Sequence, residues 1–140
     1  MNKNILSTCI ACLFSVVAAN ASEYSVVVSR QTREQPGWQS VVDALLDRHS
    51  KAVVLVWEKD VSEVLPVLQK QHPRYTCFVA TREEAGRDFV AAVHQLTRQY
   101  DNDPYTDTLW GILTGYDAEN ALAIAKTDKP LAVKKVASGT

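Results

Sequence analysis

Short runs of apolar and β-branched residues alternate along this chain with longer amphipathic segments. The short runs predict buried strands, because a strand that is covered on both faces is apolar throughout; they span 24–29, 52–57, 75–80, 108–114 and 131–136. Apolar residues that recur every three or four positions predict the helices; their stripes span 38–49, 61–68, 89–100 and 118–125. The strict alternation predicts an α/β fold, a three-layer sandwich with a mainly parallel sheet of about five strands and about four helices.

Capping signals and a proline predict where two of these helices begin. Asp60 and Glu63 have the spacing of a capping box, and Thr81 and Glu84 form a second pair with the same spacing. Pro66 lies inside the second predicted helix, where it would remove a backbone hydrogen bond. We therefore expect that helix to be kinked or to start late.

The first 21 residues have the three parts of a secretory signal peptide. A lysine-containing start is followed by an apolar stretch over 5–19, and residues 19–21 read Ala-Asn-Ala, a small-x-small cleavage site. A membrane anchor would need about 20 apolar residues, and a lipoprotein would use Cys9 or Cys12, of which Cys9 precedes the end of the apolar stretch. We predict cleavage before Ser22, a secreted or periplasmic location, and no membrane association afterwards.

Cleavage would leave a mature chain, residues 22–140, of 119 residues, enough for one domain with its own core. This chain keeps 14 of the 15 Lys and Arg and all 16 Asp and Glu, so its net charge is −2. Such a balance attracts neither nucleic acid nor an anionic membrane surface. Cys77 is the one cysteine that remains, so no disulfide forms within the domain.

Residues that commonly carry catalysis are few and unfavourably placed. Cys77 falls in the middle of the third predicted strand, which is typical of a small core residue and not of a nucleophile. The three histidines lie on separate predicted helices, without the spacing that places two ligands on one metal ion; they are His49, His72 and His94. No glycine-rich phosphate loop follows the first strand. We therefore expect no catalytic and no cofactor-binding residues.

An acidic turn separates the third helix from the fourth strand. Asp101, Asp103 and Asp107 place three carboxylates within seven residues, a donor set that could hold a hard cation such as Ca²⁺. The spacing differs from the EF-hand pattern. The alternative is a solvated turn in which Pro104 directs the chain into the next strand.

The segment over 103–125 carries a more specific pattern. It reads DPYTDTLWGILT and then DAENA from Asp117, an aspartate-rich turn followed by an apolar strand and a helix that opens with acidic residues. This segment resembles the gingipain family of secreted cysteine peptidases, and the likeness extends over roughly 24–136. The resemblance implies a caspase-like fold. Ile112 and Thr114 depart from the family pattern, which favours Arg and Pro at these positions.

The resemblance places the family's catalytic His-Gly and Cys motifs downstream of this segment, beyond the last residue. We therefore expect an exported α/β domain, an incomplete portion of a larger domain that resembles the N-terminal subdomain of gingipain-type cysteine peptidases and is inactive alone. The alternative is a self-sufficient periplasmic binding or protein-interaction module. The apolar fourth and fifth strands predict self-association or docking on a missing C-terminal half. Lys134 and Lys135 argue against this, because charges protect strand edges.

Overall fold

The computed structural model describes residues 23–129 and Lys135. The predicted signal peptide and its cleavage site lie outside the described residues. The predicted fifth strand also lies outside them, apart from Lys135, which is exposed.

Parallel strands alternate with helices along the described chain. The strands are β1 (Tyr24–Ser29), β2 (Val53–Trp57), β3 (Tyr75–Val79) and β4 (Leu109–Leu113). The helices are α1 (Arg30–Glu34), α2 (Trp38–Arg48), α3 (Leu65–Gln71), α4 (Arg87–Leu96) and α5 (Ala118–Ala125), and a 3-10 helix, Val61–Val64, precedes α3. The α/β prediction is confirmed, although the described residues form four strands and not five. No described helix is both long and apolar enough to cross a membrane.

The four strands lie in the order β2-β1-β3-β4, and every neighbouring pair is parallel. Alternate residues of β1 point to opposite faces of the sheet. Val26 and Val28 pack beneath α2 and α5, whereas Val27 packs with Phe78 beneath the 3-10 helix, α3 and α4. Two apolar cores therefore lie on either side of the sheet, and the predicted three-layer arrangement is confirmed.

The second predicted helix starts late, as the position of its proline indicated. The Asp60 carboxylate accepts a hydrogen bond from the Ser62 amide at 2.8 Å, and the Glu63 carboxylate accepts one from the Asp60 amide at 3.3 Å. This capping box opens the 3-10 helix, and Pro66 lies in the first turn of α3. The missing proline N–H costs nothing there, because the first-turn amides of a helix have no partner within it.

The third predicted helix is shorter than its apolar stripe suggested. Thr81 and Glu84 form the predicted reciprocal pair: the Glu84 amide donates to the Thr81 hydroxyl at 3.2 Å, and the Thr81 amide donates to the Glu84 carboxylate at 3.3 Å. These bonds close a separate turn, and α4 begins only at Arg87, after Gly86. The prediction that the capping pair opens the helix is therefore wrong.

The carboxyl end of α4 also differs from the prediction, because the apolar stripe continued to Tyr100. Helical structure ends at Leu96. Farther along, the Tyr100 amide donates to the Asp107 carboxylate at 2.8 Å, so the acidic turn diverts the backbone out of the helix. Tyr100 is nevertheless buried in the core, as its place in the stripe indicated.

Helix α1 was not predicted from the sequence. The Ser29 hydroxyl accepts a hydrogen bond from the Thr32 amide at 2.9 Å and thereby caps the helix. Thr32 is the one buried residue among its five, so no apolar stripe marks this helix.

β4 lies at an edge of the sheet and is poorly covered. Leu109 is 64% exposed, whereas Trp110 and Ile112 are partly buried against the core beneath α4. No charged residue occurs between Thr108 and Thr114. Among the described residues, the outer side of this strand has no partner.

Candidate functional site

The carboxyl ends of the strands open into a crevice. After β1 and β4 the chain continues into helices on one face of the sheet, and after β3 it continues into α4 on the other face. Neighbouring chain segments therefore diverge at this edge, which is where α/β folds commonly bind ligands. We call this crevice, which consists of the two cavities described next, the carboxyl-edge crevice.

Two adjoining cavities make up the crevice. The first, which we call the Thr114 cavity, has a volume of about 320 Å³ and lies between the segment after β3 and the segment after β4; its lining is Arg82, Ala85, Thr114, Gly115, Tyr116 and Asn120. The second, the outer cavity, has a volume of about 500 Å³ and extends toward the segment after β1, where Pro36 and Trp38 line it. Arg82 and Tyr116 border both cavities.

Glu84 connects the segment after β3 to the end of β1. Its carboxylate accepts hydrogen bonds from the hydroxyls of Ser29 and Thr32, and from the amide of Thr81. Both hydroxyl-bearing residues are buried. Three donors therefore occupy one partly buried carboxylate, which fixes one side of the crevice and leaves this acid with little capacity for further partners.

The segment after β4 is held against the start of α5. A Cβ on Gly115 would lie 2.8 Å from the Ala121 nitrogen and 2.9 Å from the Asp117 oxygen, so only glycine fits here. The Asp117 carboxylate accepts from the Asn120 amide at 2.8 Å and caps α5. The Asn120 side-chain oxygen accepts from the Tyr116 amide at 3.4 Å. These contacts set the position of the floor of the Thr114 cavity.

The Thr114 cavity has one exposed cationic side chain at its border and a buried hydroxyl in one of its lining residues. The Thr114 hydroxyl oxygen is buried and forms no hydrogen bond within the described residues. The Arg82 side chain is exposed, and it forms no ion pair or hydrogen bond in the part of the chain that the structure describes. Tyr116 is 85% exposed at the mouth. Arg82 and Tyr116 can therefore engage a group that carries hydrogen-bond acceptors, whereas the Thr114 hydroxyl oxygen has almost no accessible surface.

Cys77 lies away from the crevice, in the middle of β3, where the sequence placed it. It packs against the core beneath α2 and α5 and is partly exposed beside Leu109 and Gly111, because little covers this part of β4. Burial raises the pKa of the Cys77 thiol to about 11, although a hydrogen bond with Tyr24 opposes this shift. The thiol is therefore protonated at neutral pH.

The three histidines lie toward the amino ends of the strands, opposite the crevice. His49 ends α2 and stacks on Tyr24 with 3.8 Å between the ring centroids, and burial, with a smaller effect of Arg48, lowers the pKa of His49. His72 ends α3 in a left-handed conformation, and His94 lies in the last turn of α4. Within the described residues, neither a thiol nor an imidazole lines the crevice.

A further cavity, of about 400 Å³, opens at the amino ends of the strands. Tyr24, Tyr75 and His49 line it. Two of its charged groups have protein partners: the Arg48 guanidinium donates to the Thr127 carbonyl oxygen, and Glu23 forms an ion pair with Arg74. The carboxyl-edge crevice lies where neighbouring segments of the α/β fold diverge, and its Arg82 has no partner within the described residues, so it is the stronger candidate for a binding site.

The acidic turn brings its three predicted carboxylates together. One oxygen from each of Asp101, Asp103 and Asp107 lies within 4.8 Å of the others, so the donor chemistry fits a hard cation. Each carboxylate also accepts a backbone amide: Asp101 from Asp103 at 2.8 Å, Asp103 from Tyr105 at 2.7 Å, and Asp107 from Tyr100 at 2.8 Å. These bonds account for the turn as a hydrogen-bonded structure, which is the alternative left open by the sequence.

Comparisons with known protein families, with curated proteins and with solved structures find no match to this chain. Its likeness to the gingipain family therefore rests on the sequence segment alone. Sequence reasoning missed Arg82 and Thr114, because each is unremarkable until the segments after β3 and β4 are brought together.

Proposed function

We propose that this chain is an exported, non-catalytic α/β domain that binds a ligand in the carboxyl-edge crevice. In this proposal it corresponds to the N-terminal subdomain of a gingipain-like cysteine peptidase, without the catalytic pair. The observation that carries the proposal is a separation in space: Cys77 and the three histidines lie away from the crevice.

The state of the thiol supports the absence of peptidase activity. A cysteine nucleophile reacts as the thiolate and is activated by a neighbouring base. With a pKa of about 11, Cys77 has on the order of one thiolate in ten thousand molecules at neutral pH. Its side-chain hydrogen bond is to the phenol of Tyr24, which is a weak acid and not a base.

The crevice itself supports binding. Its cavities, of about 320 and 500 Å³, lie in the size range of small-molecule and peptide sites. The Thr114 cavity has mainly apolar walls with a few polar groups, whereas most of the outer cavity is lined by polar and charged side chains. The segments that form it are held by Glu84 and by the Asp117 cap, so the site exists without a ligand. A preformed site loses little entropy when a ligand binds.

The alternative is a self-sufficient binding module, which would need no further polypeptide to complete its sheet. Among residues 23–129 the edge of β4 is uncharged and exposed, which favours a domain that is completed by a further polypeptide, because an unprotected edge invites pairing. A stable monomer would favour the self-sufficient module.

A peptidase assay tests the first part of the proposal. The mature chain from Ser22 to Thr140 should leave casein and arginine or lysine amide substrates uncut, and Cys77→Ala should behave identically. Cleavage by the unmodified protein that Cys77→Ala abolishes would contradict the proposal. Export is tested on the full chain: the mass of the protein recovered outside the cytoplasm should correspond to a start at Ser22.

A binding experiment tests the second part. A tryptic digest of casein is titrated into ¹⁵N-labelled mature chain, and the amide resonances are followed by NMR. We expect saturable shifts at Arg82, Gly115 and Tyr116, which line the crevice, and none at Asp101 or Asp103 in the acidic turn. Shifts confined to other parts of the domain would show that the crevice is not the binding site.

A further inference from the structure

The outer side of β4 carries backbone groups that no described residue uses. The Leu109 amide and the Leu113 carbonyl oxygen form hydrogen bonds with the backbone just before and just after β3, at 2.9 and 3.1 Å. Because backbone groups alternate in direction along a strand, those of Gly111 also face β3, and the N–H and C=O groups of Trp110 and Ile112 face outward. These outward groups can pair with a further strand.

The opposite edge of the described sheet, β2, is better protected. Every residue of β2 is buried or partly buried, and the charged residues Lys51 and Glu58 flank the strand. In β4, by contrast, Leu109 and Gly111 are exposed, and no charge occurs from Thr108 to Thr114. Coverage and charge are the usual means by which proteins protect the edges of sheets. β4 is therefore the edge that remains open to pairing in the described part of the chain.

The connections between the strands disfavour the chain's own continuation as the occupant of this edge. The connection from β1 to β2 crosses the face of α2, whereas those from β2 to β3 and from β3 to β4 cross the other face and run in the opposite direction along the sheet. All three connections therefore have the same hand. Helix α5 packs on the face of α2, so a parallel strand that followed α5 and lay outside β4 would be reached with the opposite hand. About 98% of such connections share one hand, which disfavours the predicted strand over 131–136 at this edge.

The sequence of β4 is complementary to a second copy of itself. In an antiparallel pair with a two-fold axis at Gly111, Trp110 lies opposite Ile112 of the second copy, and Leu109 lies opposite Leu113 of the second copy. The outward backbone groups of Trp110 and Ile112 then form about four hydrogen bonds. All the opposed side chains are apolar, so no like charges meet across the axis.

We propose that β4 is a homodimerisation edge, at which two copies of this chain pair antiparallel about Gly111 and join their sheets into one. The further polypeptide that the exposed edge favours is then a second copy. Pairing would cover Leu109, which is 64% exposed in one copy. The proposal deepens that part of the proposed function and does not depend on ligand binding in the carboxyl-edge crevice.

Disulfide trapping tests the register of this pairing. Cys77 is the one cysteine of the mature chain, so Cys77→Ala gives a background without thiols. Gly111→Cys then adds a thiol at the proposed axis, where no atom lies within 4 Å of the new Cβ. Opposed Cα atoms of a non-hydrogen-bonded antiparallel pair are about 4.5 Å apart, which is within reach of a disulfide. We expect mild oxidation at micromolar concentration to give a covalent dimer on a non-reducing gel.

Leu109→Cys in the same background is the matched control. Its thiol is on an exposed residue of the same strand, but the two copies of this position lie about 13 Å apart along the paired strands, beyond the reach of a disulfide. We expect at least about tenfold less covalent dimer than from Gly111→Cys. Leu113→Cys alone should also give little, whereas an equimolar mixture with Leu109→Cys should cross-link, because these positions oppose each other across the axis.

Urea unfolding establishes that each variant is folded, and if Gly111→Cys is not, the mixture of Leu109→Cys and Leu113→Cys tests the same register. Cross-linking of Leu109→Cys that equals or exceeds that of Gly111→Cys would overturn the proposal. A folded Gly111→Cys variant that stays monomeric would overturn it too: a thiol that resists alkylation would show that the chain covers its own edge, and a reactive thiol would show that the edge stays free. The titration of the crevice with the casein digest is a separate measurement, so the binding function can stand where the dimer fails.

Discussion

Glu84 is the residue whose removal should test the structure of the crevice most directly. Replacement by alanine deletes the acceptor of the Ser29 and Thr32 hydroxyls and of the Thr81 amide. The Ser29 hydroxyl would still accept from the Thr32 amide and cap α1. The buried Thr32 hydroxyl would lose its acceptor, and the segment after β3 would lose its attachment to β1.

The magnitude follows from the charge and burial of these groups. Hydrogen bonds to a charged group contribute about 1.5–3 kcal/mol each, and two such bonds from buried hydroxyls give about 3–6 kcal/mol. Glu84 is partly exposed, so water replaces some of this. We expect Glu84→Ala to lower the free energy of unfolding by about 3 kcal/mol, which corresponds to roughly 10 °C or more in Tm. Glu84→Gln should cost about 1 kcal/mol, because the amide oxygen still accepts one hydrogen bond.

Urea unfolding followed by tryptophan fluorescence measures these differences. Glu83→Ala is the control: this neighbouring acid is exposed, so its loss should change the stability by no more than about 0.5 kcal/mol. A double-mutant cycle with Thr32→Val should show that the two residues are coupled. If Glu84→Ala were as stable as Glu83→Ala, Glu84 would not fix the segment after β3 and the described geometry of the crevice would be wrong.

Three further predictions concern other parts of the domain. Burial against Tyr24 lowers the pKa of His49. The stability that His49 contributes is therefore present above its unfolded pKa of about 6.5 and is lost as the pH falls below that value. His49→Phe should flatten the decline in unfolding free energy between about pH 7 and pH 5, and an unchanged slope would contradict this. Asp107→Ala should lower the free energy of unfolding in urea by about 1–2 kcal/mol, because the Tyr100 amide loses a charged acceptor. The same urea titration in millimolar calcium tests the predicted cation site. Only a calcium-dependent stabilisation that Asp107→Ala abolishes would support that site. The mature chain should sediment as a dimer or larger species at micromolar concentration, and Leu109→Lys at the exposed start of β4 should restore the monomer. A monomer in the unmodified chain would show that this edge is protected.

Local patterns predicted most of the fold. Each strand is a contiguous apolar run, and α2 and α5 each carry a stripe, so their signals depend on few distant residues. The predicted start of α4 was wrong because the Glu84 side chain binds Ser29 and Thr32, more than fifty positions earlier, as well as Thr81. A capping pair has the same spacing whether it opens a helix or closes a turn.

The two candidate sites also differ in how far apart in the sequence their residues lie. The acidic turn was predicted because its three carboxylates lie within seven residues of one another. The Thr114 cavity was not predicted, because its lining comes from two segments about thirty residues apart. That the Thr114 hydroxyl has no partner is a property of its surroundings, and no spacing of residues records it.

The place of β1 in the sheet also has a consequence for the order in which the domain can fold. This strand comes first, yet it lies inside the sheet, and Val26 pairs with Val54 and Cys77, 28 and 51 positions later. Such pairings close long loops before any contact compensates for the lost chain entropy, which makes folding slower than in a helical domain. In a chain exported from its amino terminus, as proposed here, β1 remains unpaired on one side until β3 has followed it. Slow folding of this kind keeps a chain extended long enough to be threaded through a membrane.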